Sequence, residues 1–209
     1  MIKINKSGRS INPAQKRTRV ISKEECLHDL RGILPLLFKS HHSAVEKFNK
    51  GMEDTPPQHR VRGLDPSYFA SKMIQCMSKY GLEVQYGKHG RRLVYTNGYI
   101  ILFKKFDRSG RPMNIKTKHN TAIEAQQAGN LFGCGDDGTA PILYFGYSVS
   151  PLGEICAPRL AYLDERRLKW AIIENDLATG KRAIAEITPK QPDGGVSVKP
   201  GVKVAKRAE

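Results

Sequence analysis

The amino-acid sequence predicts an α+β fold in which N-terminal helices precede a mostly antiparallel sheet with one inserted short helix. Two patterns lead to this prediction. Between Leu27 and Phe48, apolar residues recur every three or four positions, which is the period of a helix with one buried face. After Gly81 the apolar period becomes two, and Asn97-Gly98 separates two apolar runs, which is typical of a β-hairpin with a type I′ turn.

The first helical segment has a recognisable start and an internal interruption. Ser22 and Glu25 have the spacing of a capping box, which places the helix start at residue 22. Pro35 lies within the apolar pattern and would leave the carbonyl of Arg31 without its helical hydrogen bond. We therefore expect either two helices or one kinked helix, ending near Gly51.

A second helix is predicted after the Pro-rich residues 55–57. Asp65 is suited to cap it, and Pro66 to occupy its first position. Gly81 is expected to end it. Its shared apolar face comprises Phe69, Met73, Met77 and Tyr80.

The remaining pattern predicts strands and one short helix. The strands are expected at 93–96, 99–106, 142–149, 155–163, 170–174 and 183–187. Asn120 is suited to cap a helix over 121–128 that Gly129 would close. We expect a single folded unit over 22–188, between a disordered basic tail, 1–21, and a flexible basic C-terminal tail, 189–209.

Composition restricts the class of protein. The chain has 209 residues and its apolar fraction is 39%, below the usual 45 to 50% or so, but 7 Phe and 8 Tyr still permit a core. No apolar run is long enough to cross a membrane, and no apolar segment of signal-peptide length follows the basic N-terminus. The net charge of +15 indicates an acidic partner, most often a nucleic acid, either DNA or RNA.

The four cysteines do not follow the spacing of a zinc site or a dense disulfide scaffold. They are Cys26, Cys76, Cys134 and Cys156. We expect buried or free thiols in a reducing compartment, with the cytoplasm as the default location.

Positive charge concentrates between residues 88 and 118, where nine Lys or Arg accompany one acid, Asp107. Lys104 and Lys105 are expected on opposite faces of one strand, and the other cations near strand ends and loops, where they could contact phosphates. The alternative is a solvated sheet face. The candidate nucleic-acid-binding residues are Lys88, Arg91, Arg92, Lys104, Lys105, Arg108, Arg111, Lys116 and Lys118.

Other motifs favour structural interpretations. Residues 87–90 have the Gly-x-x-Gly form of KH domains, but the following residues read as a strand, so a plain turn is favoured. His41, His42, Asn49 and His59 lack the hairpin context of an HNH nuclease, and we expect His41 to be a hydrogen-bonded histidine at a helix interface. The acidic loop 133–138 offers too few ligands for a predicted cation site. We predict no catalytic residue, metal or cofactor, and leave open whether the chain is an enzyme.

Four segments carry a resemblance to a known group of proteins. They are residues 101–107, 114–128, 141–147 and 168–171, which lie within a span of about a third of the chain. These segments resemble small bacterial proteins encoded beside a helix-turn-helix regulator fused to an ImmA/IrrE-like metallopeptidase, as in RosmerTA-type toxin–antitoxin defence pairs. The resemblance implies a toxin-like effector restrained by an antitoxin or regulator protein, and it assigns no catalytic residue.

Three functional hypotheses follow. The first is a cytoplasmic bacterial or phage-derived nucleic-acid-binding protein, the effector of a toxin–antitoxin or phage-defence pair. The second is a protein-interaction module, or a toxin acting on a membrane or protein partner, with the apolar helical stripe 34–48 partly exposed. The third, a metal-dependent nuclease, is disfavoured because the carboxylate constellation is missing.

Overall fold

The computed structural model describes residues 17–55, 59, 64–87, 91–127 and 139–178. These residues confirm the predicted α+β class. The helices are α1 (Lys23–Asp29), α2 (Leu34–Gly51), α3 (Leu64–Lys79) and α4 (Lys118–Glu124). The strands are β1 (Gln85–Gly87), β2 (Arg91–Thr96), β3 (Tyr99–Lys105), β4 (Ile142–Val149), β5 (Ile155–Asp164) and β6 (Arg167–Ile172).

The six described strands form one sheet in sequence order. Every neighbouring pair is antiparallel except β3 and β4, which run parallel because α4 lies in the connection between them. The sheet is therefore mostly antiparallel, as predicted. The parallel pair and the short strand β1 were not predicted.

Helices cover both faces of the sheet, which gives the protein two apolar cores. One face, including Ile101 and Phe145, packs against α1, α2 and α3. The opposite face, including Leu102 and Tyr144, packs against Ile123 of α4. Alternation of side chains along each strand accounts for this separation of neighbouring residues.

Several local predictions are confirmed. The Ser22 hydroxyl accepts a hydrogen bond from the Glu25 amide at 3.0 Å and caps α1. Pro35 lies in the first turn of a separate helix, α2, where its missing N–H costs no helical hydrogen bond. Asn97 and Gly98 have φ angles of 50° and 76°, as a type I′ hairpin turn requires.

Some predicted boundaries are wrong. Helix α3 begins at Leu64, so Asp65 lies within it rather than capping it. Helix α4 begins earlier than predicted because Thr117, not Asn120, caps it by accepting the Asn120 amide. The last described strand ends at Ile172, since the Asp176 carboxylate accepts the next amide and residues 174–178 turn into a helix.

The N-terminal boundary also requires correction. Arg17 contacts Asp164 at 2.6 Å, Thr18 bonds Gln126 at 2.8 Å, and Ile21 is buried. These contacts anchor residues 17–21 to the sheet, so the packed chain begins at or before Arg17 rather than at residue 22. Residues 1–16, the predicted strand 183–187 and the predicted tail 189–209 lie outside the described residues.

Candidate nucleic-acid interface

Three of the nine predicted binding residues line one cavity of about 220 Å³, which we call the polar cleft. Arg91 and Arg92 come from β2 and Lys104 from β3. Its other lining residues are Ala70, Leu102, Phe103, Asn114, Asn120, Ile123 and Tyr144. The cleft is lined by residues of α3 as well as α4.

The hairpin brings these cations together. Its turn sets a register in which Leu93 pairs with Leu102, so Arg91 lies beside Lys104 on the neighbouring strand. The Arg91 guanidinium donates a 3.0 Å hydrogen bond to the side-chain oxygen of Asn120, which ties β2 to α4. The cleft is thus built from elements that are distant in sequence.

The other predicted cations lie elsewhere. Lys105 and Arg108 line a separate cavity beside the end of β4, and Lys116 and Lys118 line a shallow one beside α4. Arg111 donates to the carbonyl of Arg166 at 2.7 Å. Lys88 lies outside the described residues. Lys104 and Lys105, which are neighbours on β3, both line a further cavity of about 260 Å³.

The cleft is electrostatically positive. Burial lowers the pKa of Lys104, and the charge of Arg91 lowers it further, whereas Glu124 acts in the opposite direction. Glu124 is itself engaged, since it accepts from Asn114 Nδ2 at 2.9 Å and lies 3.9 Å from Arg166. An added anion would therefore favour the charged form of Lys104.

Two polar side chains of the cleft, Tyr144 and Asn114, interact with each other, and the hydroxyl oxygen of Tyr144 and Oδ1 of Asn114 are both buried. Burial raises the pKa of Tyr144, so this hydroxyl keeps its proton. Sequence reasoning missed both residues, because nothing in the local pattern separates them from ordinary strand and loop residues.

Some described cations form ion pairs with carboxylates, and others do not. Arg17, Lys23 and Arg166 each form an ion pair with a carboxylate, as does Arg19 with Glu25. None of the eight described candidates forms an ion pair with a carboxylate of the described residues. Their charge is therefore available to an external anion.

A second cavity, of about 260 Å³, adjoins the polar cleft and shares Ala70, Arg92, Phe103 and Lys104 with it. Its wall is mainly apolar and includes Phe69, Met73 and His41. His41 is 2% exposed, and neither ring nitrogen has a hydrogen-bond partner among the described residues. The prediction that His41 is hydrogen-bonded at the helix interface is therefore wrong. Aromatic rings surround His41 instead.

His41 should make stability depend on pH. Burial and the neighbouring His42 lower the pKa of His41 from 6.5 to about 4, so the unfolded chain binds a proton first as the pH falls. The free energy of unfolding is therefore unaffected by His41 above pH 6.5. Between pH 6.5 and about 4 it falls, by about 3 kcal/mol in total. Urea unfolding of wild type and His41→Phe at several pH values measures the difference. Replacement of the exposed His28 by Gln should preserve the decline, and a decline that persists in His41→Phe would contradict this assignment.

The described residues contain no cluster of three or more His, Cys, Asp or Glu able to hold a metal ion. His42 contacts Glu174 at 2.8 Å, and both lie on the surface.

The predicted turn at 87–90 connects two strands, although its residues 88–90 lie outside the described part. The acidic loop 133–138, with Cys134, also lies outside it. Cys26, Cys76 and Cys156 are free thiols.

None of the described helices combines the length and apolar character needed to cross a bilayer. No family model matches the chain, and comparison with curated proteins and with solved structures finds no significant match.

Proposed function

We propose that this chain is a cytoplasmic nucleic-acid-binding protein that contacts phosphates through the cations of residues 91–118. The observation that carries the proposal is the density of unpaired positive charge in this segment. Eight Lys and Arg side chains in this segment form no ion pair with a described carboxylate, and the segment holds one acid, Asp107. Repulsion among unpaired like charges is relieved when phosphates replace the solvent around them.

The polar cleft supports a nucleic acid over a generic polyanion. Arg91, Arg92 and Lys104 supply charged donors, while Leu102, Phe103 and Ile123 add apolar surface. Phosphate contacts position a nucleic acid, whereas uncharged groups can read its bases.

A role as the effector of a bacterial toxin–antitoxin or phage-defence pair belongs to the same proposal and depends on the resemblance described above. In that role an antitoxin or regulator protein would restrain the chain until it is needed. Nucleic-acid binding then supplies the contact between the effector and its target.

The proposal predicts a salt-dependent loss of binding when exposed cations are neutralised. The test variant combines R92Q, R108Q, K116Q and K118Q, all exposed residues, and is titrated with single-stranded RNA, duplex DNA and anionic vesicles. If all four side chains contact phosphates, the slope of log affinity against log salt becomes shallower by about 3 for single strands. The measurement is fluorescence anisotropy between about 50 and 200 mM salt.

A matched control removes the same charge from other exposed positions, with R31Q, K47Q, K50Q and K169Q. Its salt slope should remain close to that of wild type. Equal losses in the two variants, equal affinity for vesicles and nucleic acids, or no nucleic-acid binding at low salt would each refute the proposal.

The alternative hypothesis, a protein-interaction module, depends on partial exposure of the apolar helical stripe 34–48. The structure does not show that exposure. Leu34, Leu37, Phe38 and Phe48 are at most 2% exposed. Phe38 packs against Phe145 of the sheet with ring centroids 5.5 Å apart. The predicted partial exposure of this stripe is therefore wrong, because the sheet covers it.

A further inference from the structure

The cavity of about 260 Å³ beside the polar cleft, which we call the apolar cavity, lies between helix α3 and the sheet. Helix α3 contributes Phe69 and Met73 to its wall, and the sheet contributes Phe103 and Phe145. His41 also lines the cavity, but burial lowers its pKa to about 4, so its ring is uncharged at neutral pH. A hydrocarbon group can therefore enter this space without meeting a buried charge.

Three cations line the same cavity, namely Arg92, Lys104 and Lys105. The hairpin register places Arg92 beside Phe103, and Lys105 follows Phe103 by two residues on β3. Both side chains consequently lie on the same face of the sheet as the Phe103 ring. None of the three cations pairs with a described carboxylate, and none of the described residues that line the cavity is acidic. The charge at the cavity therefore favours an anion.

An occupant has to match both the apolar wall and the cations. A simple anion such as phosphate would pair with the cations but leave the apolar wall in contact with water. A nucleobase carries N–H and C=O groups along its edge, and a mainly apolar wall would leave most of them unpaired. A carboxylate at the end of an aliphatic chain matches both parts, because its chain has no polar group to satisfy and its head accepts from cationic donors.

We propose that the apolar cavity binds a small aliphatic carboxylate of the short- to medium-chain fatty acid class. The chain packs between Phe69, Met73 and Phe103, and the carboxylate accepts hydrogen bonds from Arg92 and Lys105. The volume of about 260 Å³ lies just below the usual range of ligand pockets, about 300 to 1,000 Å³, and so suits one short chain. This inference does not depend on the proposed nucleic-acid binding.

A series of ligands tests both parts of the match on the wild-type chain. Butanoate, hexanoate, octanoate and decanoate are titrated by calorimetry, below the concentrations at which they form micelles. The affinity should rise about three- to four-fold for each added methylene until the cavity is full. Octanol, which has the same chain without the charge, and octyltrimethylammonium, which has the opposite charge, should both bind more weakly than octanoate.

The methionines report where the chain binds. Met73, Met77 and Met113 line the apolar cavity, whereas Met52 is buried elsewhere in the helical core. In NMR spectra of protein with isotopically labelled methionine methyl groups, octanoate should shift the signals of the first three residues. The Met52 signal should stay in place, which makes it an internal control.

A charge variant, R92Q combined with K105Q, tests the cations. It should weaken octanoate binding about three- to ten-fold and leave octanol binding unchanged. The matched control combines R31Q with K47Q, which removes the same charge from exposed positions outside the cavity and should bind octanoate as wild type does. Thermal unfolding without ligand shows whether each variant is folded, and the two preceding measurements need no variant.

Several results would overturn the inference. They are the absence of octanoate binding, an affinity that does not rise with chain length, and binding of octanol or inorganic phosphate as tight as that of octanoate. A Met52 signal that moves as far as that of Met73, or an equal loss in the two charge variants, would also overturn it. None of these experiments contains nucleic acid, so their failure would leave the proposed function untouched.

Discussion

Gln126→Met should destabilise the protein by about 4 kcal/mol, which is a large part of the stability of a typical domain. Gln126 is fully buried, and its side chain forms four hydrogen bonds. Nε2 donates to the carbonyls of Ile142 and Leu163, while Oε1 accepts from the Ile142 amide and the Thr18 hydroxyl. Methionine keeps the volume but leaves these four groups unpaired in the core.

The effect should extend to the polar cleft, because Gln126 follows α4 and fixes it to β4, β5 and the N-terminal segment. Helix α4 carries Asn120 and Glu124, which hold Arg91 and Asn114. Urea denaturation measures the stability, with Gln127→Met as the control, since the neighbouring Gln127 is exposed. A loss below about 1 kcal/mol in Gln126→Met would show that water replaces the lost hydrogen bonds.

The sequence predicted those parts of the fold that local patterns determine. The helical stripe of α2, the Ser22 cap and the Asn97-Gly98 turn each depend on a few neighbouring residues, and each is present. The turn before β6 shows where this reasoning fails. Glu165 and Arg166 have φ angles of 49° and 63°, a conformation for which their residue types give no sequence signal. The start of β6 was consequently placed three residues too late.

Only part of the candidate site was predictable for the same reason. Clustering of positive charge identified Arg91, Arg92 and Lys104, and the hairpin register brings them together. The contributions of Tyr144 and Asn114 depend on the parallel pairing of β3 with β4 and on the position of α4. No short pattern determines this connection, since the two strands are separated by more than thirty residues of chain.

Gly146→Ala should destabilise the protein by about 3 kcal/mol or more, because β3 and β4 approach too closely at this position for a side chain. A Cβ atom on Gly146 would lie 1.6 Å from the carbonyl oxygen of Lys104, a backbone atom that cannot move without shifting β3. The register also shifts between Gly146 and Ser148, which marks a β-bulge.

Because Lys104 is the strand partner of Gly146, the same substitution should displace the Lys104 amine from the polar cleft and weaken single-strand binding. Gly32→Ala is the matched control, since a Cβ atom there meets nothing within 4 Å, and its stability should stay within about 0.5 kcal/mol of wild type. Thermal unfolding of both variants, followed by RNA titration of the folded protein at low temperature, separates the two effects. A Gly146→Ala protein with wild-type stability would mean that the strands can separate at the bulge without cost, and that Gly146 does not hold Lys104 in place.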